Sequence, residues 1–547
     1  MIRHPMHHRL GSLLWAFIGA ISAGALLGSP ATTCVSAEPD SKASETIRAL
    51  QRPVSLNGEQ RSRLAALEDV CRQAGVGLQL DTTALTAAGL NLDELVSVKI
   101  ADEPLQEALG RIIDWQTHWG VCREIRDGGV FLTTIQAAQR RTLKLLPEWL
   151  KPVYVHGLIA TVDDAGNATT ITVNKVMTDE LLAKLGTLPK LRGLQIEATE
   201  TITPAGLAHL SNLGALEKLT MFDVNQQGAG LGDDALRSIS GLKSLRELSV
   251  SECGTTDAGA RFLEGMQQLT YLRLYQEGRL TDAALASVAK LKGLRHLDLT
   301  SSGGTESYGT MRFTPQGLRQ LMALQDLETL SLAGHSPEAD FFAFPKLTAL
   351  SVSGVDDAAA LRIAQCRNLQ SLGLMWTDIT DDGLKRIATL GGLRRLSLYS
   401  SVITDGGIAH LTALPLEYID LLADQVSDET LKHLAEIMTL TRLDLHGIGR
   451  PGANLGKNFT SEGLQQLKGL PKLRTLRLTN LALDGGFGDL SELAQLRELT
   501  FMMTNISESE IDALEDALPN TTVHSMSGGG DHRLPKKMRT ARGKPVE

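Results

Sequence analysis

The sequence predicts an α/β solenoid, a row of short parallel strands each followed by a helix. The first observation behind this prediction is a leucine frame, L-x-x-L-x-L, that recurs about every 24 residues from Leu191 to the C-terminal region. Self-similarity at such a period is typical of solenoids, in which each repeat buries its apolar face only against its neighbours. The second is a polar string, T-D-D-G-L at residues 380–384, whose variants follow other copies of the frame and suit a helix start.

The frame sets the number and position of the predicted strands. Its central residue is leucine in every copy but one, which has isoleucine. The central residues are Leu194, Leu219, Leu248, Leu272, Leu297, Leu330, Leu350, Leu372, Leu396, Ile419, Leu443, Leu476 and Leu499. We therefore expect about 13 repeats over residues 178–525 in a horseshoe, with parallel strands on the concave face and helices on the convex face.

The two ends of the chain predict export and a polar tail. Arg3 and Arg9 precede an apolar stretch, and Val35 and Ala37 supply small residues for cleavage, so residues 1–37 are predicted to be a signal peptide. The alternative is an uncleaved membrane anchor. Residues 38–50 are expected to be a flexible linker and residues 526–547 a disordered basic tail. The mature protein is thus placed in the periplasm, the cell envelope or the extracellular space.

Charge and cysteine content narrow the function. The whole chain carries −9, residues 1–37 carry +2 and residues 528–547 carry +4, so the body carries −9 − 2 − 4 = −15. Such an acidic body argues against a nucleic-acid partner, which needs a basic face. Cys71 and Cys122 lie in one small domain and either pair or stay as buried thiols.

The segment before the repeats predicts a small α+β domain over residues 51–138. Strands are expected at 54–56, 77–80 and 95–100, helices at 61–74 and from Pro104, and a hairpin over 120–133. The run RPVSLNG…LEDVCRQAGVGLQLD…LNLDELVSVKIADEPLQEALGRIIDW…REIRDGGVFLTT resembles the short N-terminal domain of secretins and TonB-dependent receptors. That resemblance implies a module for protein contacts in the envelope. Residues 139–177 are expected to form a hairpin that covers the first edge of the solenoid.

The repeats themselves carry a second resemblance. Strings such as T-D-D-G-L at 380–384, T-D-G-G-I at 404–408 and S-D-E-T-L at 427–431 resemble the cysteine-type leucine-rich repeats of F-box proteins. Large arrays of this style with export signals are similar to planctomycete-type bacterial proteins. The Thr or Ser of each string is predicted to cap its helix. The resemblance implies a leucine-rich repeat solenoid that binds a protein partner.

Side chains that alternate with the leucines should point to the concave face and form the binding surface. Four of the six tyrosines of the chain fall on this face, and aromatic residues with nearby arginine are typical of binding hot spots. The predicted binding residues are Tyr271, Arg273, Tyr275, Trp376, Arg395, Tyr399, Tyr418, Asp420, Arg442, Asp444 and His446. A protein partner is the leading hypothesis, and a cell-envelope glycan is the alternative.

Asp420 and Asp444 occupy one column on adjacent strands, so their carboxylates should be about 5 Å apart. Such a pair can share a proton, bind a cation, or act as the acid and nucleophile of a hydrolase. A solvated charge network with Arg442 is the plainer interpretation. The G-x-G-x-x-G string at 447–452 contains Pro451 and lies in a long repeat, which predicts a loop and no nucleotide site. Metal and cofactor motifs are absent from the sequence, and we expect a non-enzymatic interaction protein.

Overall fold

The structure is a computed structural model. It describes residues 41–57, 60–113, 121–126, 129–146, 149–150, 158–162, 167–173, 177–198, 202–223, 231–275, 280–300, 313–332, 344–447, 459–481, 487–526 and 532–533. The chain divides into two compact units, with the boundary between residues 220 and 221. The predicted signal peptide, most of the glycine string at 447–452 and most of the C-terminal tail lie outside the described residues.

The first unit begins with a small α+β domain. Its helices are α1 (Ser41–Ala49), α2 (Arg63–Ala74), α3 (Thr82–Ala87), α4 (Leu105–Ile113) and α5 (Ile135–Leu145). Its strands are β1 (Pro53–Leu56), β2 (Arg61–Ser62), β3 (Gly77–Leu80), β4 (Leu95–Val96), β5 (Ile100–Pro104), β6 (Val121–Arg126) and β7 (Gly129–Thr134). Strand β7 pairs with β6 antiparallel and with β3 parallel. Leu67 of α2 and Leu109 of α4 are fully buried in the core between these elements.

Two predictions for this region were wrong in detail. The predicted linker 38–50 contains helix α1, because Ala49 and Leu50 are apolar and bury against the domain, leaving them 1% and 3% exposed. The expected single strand at 95–100 is two short strands, β4 and β5, with different partners. Cys71 and Cys122 are both buried thiols and form no disulfide. Burial raises the pKa of the Cys71 thiol to about 12.

A hairpin precedes the repeats in the first unit. Strand β8 (Leu158–Val162) pairs antiparallel with β9 (Ala168–Val173), as the sequence predicts. Strand β9 then pairs parallel with β10 (Gly193–Ala198), which carries the first copy of the leucine frame. The backbone N–H and C=O groups of β10 are therefore hydrogen-bonded on the edge that faces β9.

A long parallel sheet built on the leucine frame forms the second unit. Strand β11 (Lys218–Asp223) contains the boundary between the units. The strands after it are β12 (Glu247–Ser251), β13 (Tyr271–Tyr275), β14 (His296–Leu299), β15 (Thr329–Leu332), β16 (Ala349–Ser353), β17 (Ser371–Thr377), β18 (Arg395–Thr404), β19 (Tyr418–Gln425), β20 (Arg442–His446), β21 (Thr475–Thr479), β22 (Glu498–Met502) and β23 (Thr522–Met526). From β12 to β23 each strand pairs parallel with the next, and the central frame residues align, as Leu372 does with Leu396.

The frame leucines form the core, as predicted. Leu272, Leu396 and Leu476, from distant copies, are all 0% exposed. The side chains between them alternate to the opposite side of the sheet, which we call the polar strand face. The fold is therefore an α/β repeat whose parallel strands follow the leucine frame.

A helix follows most of these strands. The helices are α6 (Asp179–Leu185), α7 (Pro204–Ala208), α8 (Gly232–Ile239), α9 (Asp257–Ala260), α10 (Asp282–Val288), α11 (Pro315–Gln320), α12 (Asp357–Ile363), α13 (Asp381–Ile387), α14 (Asp405–Ala409), α15 (Asp428–Ala435), α16 (Ser461–Gln465) and α17 (Glu508–Ala517). Several continue into, or are replaced by, 3₁₀ turns, at His209–Asn212, Arg261–Gly265, Leu321–Ala323, Gln466–Gly469 and Gly488–Glu492. The predicted caps are present: Thr380 and Thr404 accept a backbone N–H of the helix that each precedes.

The aspartate that follows a cap has a role that the sequence did not predict. Asp381 accepts the backbone N–H of Thr404 at 2.9 Å and its hydroxyl at 2.6 Å, so one repeat is tied to the next. We call the series of these contacts the carboxylate ladder. Its rungs are Asp179–Thr203, Asp233–Thr256, Asp257–Thr281, Asp282–Thr314, Asp357–Thr380, Asp381–Thr404, Asp405–Ser427 and Asp428–Thr460.

The ladder also explains the glycine of the repeated string. A Cβ added to Gly407 would lie 2.3 Å from Asp381 Oδ1, and one added to Gly383 would lie 2.1 Å from Asp357 Oδ1. Six of the eight rungs have glycine at this position, where the carboxylate of the preceding repeat lies against the helix start. The other two have Ala284 and Thr430, whose backbone N–H groups donate to the carboxylate instead. The string Thr-Asp-x-Gly therefore codes a contact between repeats as well as a local cap.

The C-terminal end of the sheet departs from the predicted disordered tail. His532 and Arg533 form a short strand, β24, that pairs antiparallel with β23. The backbone of Met526 and Ser525 is therefore partnered at this edge, which covers part of an otherwise open strand. In the described part of the chain, no helix combines the length and the apolar character needed to cross a membrane.

Candidate functional site on the polar strand face

The densest group of polar and aromatic side chains on the polar strand face lies on β17 to β21. Its members, named here the Trp376 patch, are Trp376, Tyr399, Tyr418, Asp420, Arg442, Asp444, His446 and Arg477. The parallel register places Asp420 opposite Asp444, as the sequence predicts, and Asp444 opposite Arg477. The leucine frame thus brings these residues together from five successive repeats.

Asp444 is the anionic centre of one half of the patch. Arg442 donates to it twice, from Nε at 3.1 Å and from Nη2 at 2.7 Å, and Arg477 Nη1 lies 3.6 Å from Oδ2. The hydroxyl of Tyr418 donates to Oδ2 at 3.2 Å. The Arg442 guanidinium also lies 5.1 Å from the Tyr418 ring centroid, so it covers that ring. A bidentate arginine and a phenol together satisfy a buried carboxylate.

Asp420 is the centre of the other half. His446 Nε2 lies 2.9 Å from its Oδ1, and the Tyr399 hydroxyl donates to its two oxygens at 3.3 and 3.2 Å. The Tyr399 ring lies 5.8 Å from the His446 ring and 5.8 Å from the Trp376 ring, measured between centroids. Tyr399 is therefore enclosed by two rings and a carboxylate.

The prediction that these tyrosines and aspartates are exposed was wrong. Tyr399, Tyr418, Asp420 and Asp444 are only 2%, 6%, 2% and 3% exposed. Alternation along a strand fixes the side of the sheet but not the depth, and here Trp376 and neighbouring long side chains cover the tyrosines. The network is thus a buried base for the surface and not a solvated charge network.

Burial and charge shift the titration of this base. Burial, followed by the negative charge of Asp420, raises the pKa of Tyr399 well above its ordinary value. Tyr418 is shifted in the same direction by burial and by Asp420 and Asp444. Burial lowers the pKa of Arg442, but its hydrogen bonds and ion pair with Asp444 outweigh that effect and leave its pKa raised. Both phenols are therefore neutral, and the arginine charged, at neutral pH.

Trp376 is the exposed member of the patch. Its side chain is 49% exposed, and its ring meets Tyr399 edge-on at an interplanar angle of 79°. Its backbone has φ +52°, in the left-handed region that a bulky residue rarely adopts. It lies in a bulge of β17, where two residues, Met375 and Trp376, face Tyr399 alone. The chain thus holds a large aromatic ring in solvent by a strained backbone.

A smaller group, the Tyr275 patch, lies on β13 and β14 and consists of Tyr271, Arg273, Tyr275, His296 and Asp298. The Arg273 guanidinium lies 4.5 Å from the Tyr275 ring centroid, and its Nε lies 3.2 Å from Asp298 Oδ2. The Tyr271 and His296 rings are 6.0 Å apart between centroids. These side chains are half-buried, so the patch is accessible.

The structure divides the predicted site residues between the two patches. Tyr271, Arg273 and Tyr275 form one, and the rest form the other, except Arg395, which is exposed at the start of β18. The predicted binding residues did not include Arg477, His296 or Asp298. The signal was present, because all three alternate with frame leucines on strands next to predicted residues.

The two patches differ from a reactive centre in how their carboxylates are engaged. Asp444 is held by Arg442, and Asp420 by His446 and Tyr399, so neither carboxylate offers an unoccupied oxygen pair to a substrate. Within the described ranges, no three His, Cys, Asp or Glu side chains are grouped so that they could hold a metal ion. The arrangement is suited to presenting a rigid surface.

The repeat geometry defines an α/β repeat protein whose core is built from the leucines of the frame. No family model matches the chain, and no curated protein matches it. Among solved structures, it is similar to an internalin from Listeria monocytogenes, at 20% identity and a TM-score of 0.38 over 62% of this chain and 87% of that chain. It is also similar to a leucine-rich repeat protein from Leptospira interrogans, at 18% identity and a TM-score of 0.35 over 64% and 92%. The Rad7 and Elc1 complex of yeast is a third, at 16% identity and a TM-score of 0.41 over 71% and 93%.

Proposed function

We propose that this chain is an exported, non-enzymatic interaction protein that binds a protein partner on its polar strand face, with Trp376 at the centre of the contact. The observation that supports this most is the state of Trp376, half exposed and left-handed above a buried polar network. A left-handed backbone costs an L-residue roughly 1–2 kcal/mol. Part of the ring covers Tyr399, but the fold gains nothing from leaving the other half in solvent.

The buried base favours binding of a rigid kind. Tyr399 fixes one edge of the Trp376 ring, and Asp420 and His446 fix Tyr399 in turn. A ring held in one place loses little conformational entropy when a partner covers it. Tryptophan, tyrosine and arginine are also the residues that most often dominate protein interfaces.

The expected contribution of Trp376 follows from its exposed area. Half of a tryptophan surface is on the order of 100 Å², and its burial is worth about 2.5 kcal/mol at 25 cal/mol per Å². Removing the ring should therefore weaken binding between 10- and 100-fold, since 1.4 kcal/mol is a factor of ten.

The test is affinity capture from an envelope extract of the cells that make the protein, using wild-type chain, Trp376→Ala and Met438→Ala. Met438 is a matched control, because it is 54% exposed but lies after α15 and not on a strand. We expect one protein to be retained by wild type and Met438→Ala and lost with Trp376→Ala. Retention of glycan in place of protein, or equal retention by all three chains, would overturn the proposal.

A further inference from the structure

We infer that one protein partner spans both patches, lying across the strands from the Tyr275 patch to the Trp376 patch as an extended and largely uncharged segment. This inference rests on the proposed function and adds the footprint and the chemistry of the bound segment. Its starting point is the register of the sheet, which places both patches on one continuous face of the second unit.

The surface between the patches is a floor of small side chains. The central positions of β15, β16 and β17 are Ser331, Ser351 and Gly373, and they separate Asp298 from the residues of β18 and β19. A Cβ on Gly373 would lie 2.9 Å from Ser351 Oγ, so glycine is needed for the serine to lie over the strand. Ser331 and Ser351 are half-buried and alternate with the frame leucines onto the polar strand face. A polypeptide backbone can approach closely here and bond to these hydroxyls.

The dimensions favour a partner that uses both patches. From β13 to β20 there are seven strand steps, or about 34 Å at roughly 4.8 Å per step. With about five residues of each strand, near 16 Å, the footprint is on the order of 550 Å². We call the area from β13 to β20 the strip. A standard interface takes about 800 Å² from each partner, so the strip approaches that size, while the Tyr275 patch alone falls far below it.

The charge on the strip indicates what kind of segment fits. On β13 to β20 the alternating positions carry Arg273, Arg395 and Arg442 against Asp298, Asp420 and Asp444, which is +3 − 3 = 0. A charged segment gains little from a neutral strip whose ions, apart from the exposed Arg395, are already paired within it. An uncharged segment can donate and accept hydrogen bonds on the strip and place apolar side chains against Tyr275 and Trp376. About ten extended residues cover 34 Å at roughly 3.4 Å each.

Photo-cross-linking tests the span. Benzoylphenylalanine is placed at Tyr275 or at Trp376, with Met438 as the control position, and the full chain is irradiated in the same extract. We expect both positions to cross-link one protein, through peptides within about ten residues of each other. Cross-linking at Trp376 alone, or to two different proteins, would overturn the inference and leave the proposed function intact. Cross-linking to no protein at either position would overturn both.

A second measurement covers the floor itself. Ser351→Phe fills the space above Gly373, and Ser331→Phe does so one strand earlier. Either substitution should weaken binding of the partner protein, once it is identified by cross-linking and purified, at least tenfold, because its backbone can no longer approach the sheet. Trp376→Ala and Tyr275→Ala should weaken it by factors that multiply, since about 19 Å separates β13 from β17 and distant sites act independently. Unchanged affinity in both serine variants would contradict the span.

Discussion

Two adjacent glycines in α14 should respond to the same substitution with opposite sign. An alanine at Gly407 would place its Cβ 2.3 Å from Asp381 Oδ1, whereas an alanine at Gly406 would meet no atom closer than 3.5 Å. The first change must displace the carboxylate of the preceding repeat. The second adds a methyl group to an exposed helix position.

The magnitude is bounded by the rung that the alanine at 407 disturbs. Asp381 accepts the N–H of Thr404 at 2.9 Å and its hydroxyl at 2.6 Å, and loss of both bonds at this exposed site would cost about 2 kcal/mol. That loss is an upper limit, because Asp257 keeps its rung to Thr281 with Ala284 at the equivalent position. Alanine returns up to about 1 kcal/mol over glycine in a helix. Gly407→Ala should therefore destabilise by up to about 1 kcal/mol, while Gly406→Ala should be neutral or stabilise by up to about 1 kcal/mol.

Urea unfolding followed by circular dichroism measures both variants, with the midpoint compared at constant slope. The Asp381→Ala background supplies a second readout. With the carboxylate removed, Gly407→Ala should no longer destabilise, a coupling of about 1–2 kcal/mol between residues in contact. Equal stability of the two glycine variants, or an unchanged penalty at Gly407 without Asp381, would refute this account of the repeated string.

Three further predictions concern backbone strain and pH. Trp376→Gly should be more stable than Trp376→Ala by about 0.5–1 kcal/mol in urea melts, the reverse of the usual order, and Gly354→Ala at the equivalent position of β16 should destabilise similarly. Burial and Asp420 raise the pKa of Tyr399, so the stabilisation by its neutral phenol is complete below the unfolded pKa of 10.0 and is lost as the pH rises above it. Above pH 10, the stability of Tyr399→Phe should therefore fall less steeply than that of wild type. Burial raises the pKa of Asp405, but the hydrogen bonds from Thr430 and Ser427 together outweigh burial and leave the pKa below its ordinary value. The stabilisation by this carboxylate is therefore present above pH 3.8 and is lost as the pH falls through the lower folded pKa. In Asp405→Asn, the melting temperature should fall less steeply as the pH is lowered through this range.

The sequence predicted the strands and helices of the repeats well because both signals repeat. A leucine at Leu372 or Leu396 is ambiguous alone, but the same spacing in many copies leaves one register for the sheet. The caps at Thr380 and Thr404 were predictable because their hydrogen bonds are local. The helix at Ser41–Ala49 was missed because a short polar segment forms it only by burying Ala49 against the domain.

Contacts between repeats were harder to predict than contacts within them. The bond from Thr404 to Asp381 joins residues 23 positions apart, and the sequence string gives no sign that Asp381 serves the next helix and not its own. How deeply a side chain on the polar strand face is buried is equally hard to predict from the sequence. Tyr399 has the alternation of an exposed residue, but the rings of Trp376 and His446 lie against it and it is 2% exposed.

Five strands have a left-handed residue at the same place in the repeat, and a comparison of these residues separates what the fold needs from what a partner would need. Two residues after the last frame residue, five strands turn through a left-handed residue: Glu252, Gly354, Trp376, Asn480 and Met503. Glycine at Gly354 meets this requirement without strain, and asparagine at Asn480 meets it with little. Since the fold uses glycine there one strand before β17, it does not need tryptophan at 376. The side chain that is worst suited to this backbone is also the most exposed aromatic of its patch, which is why we assign its role to a partner.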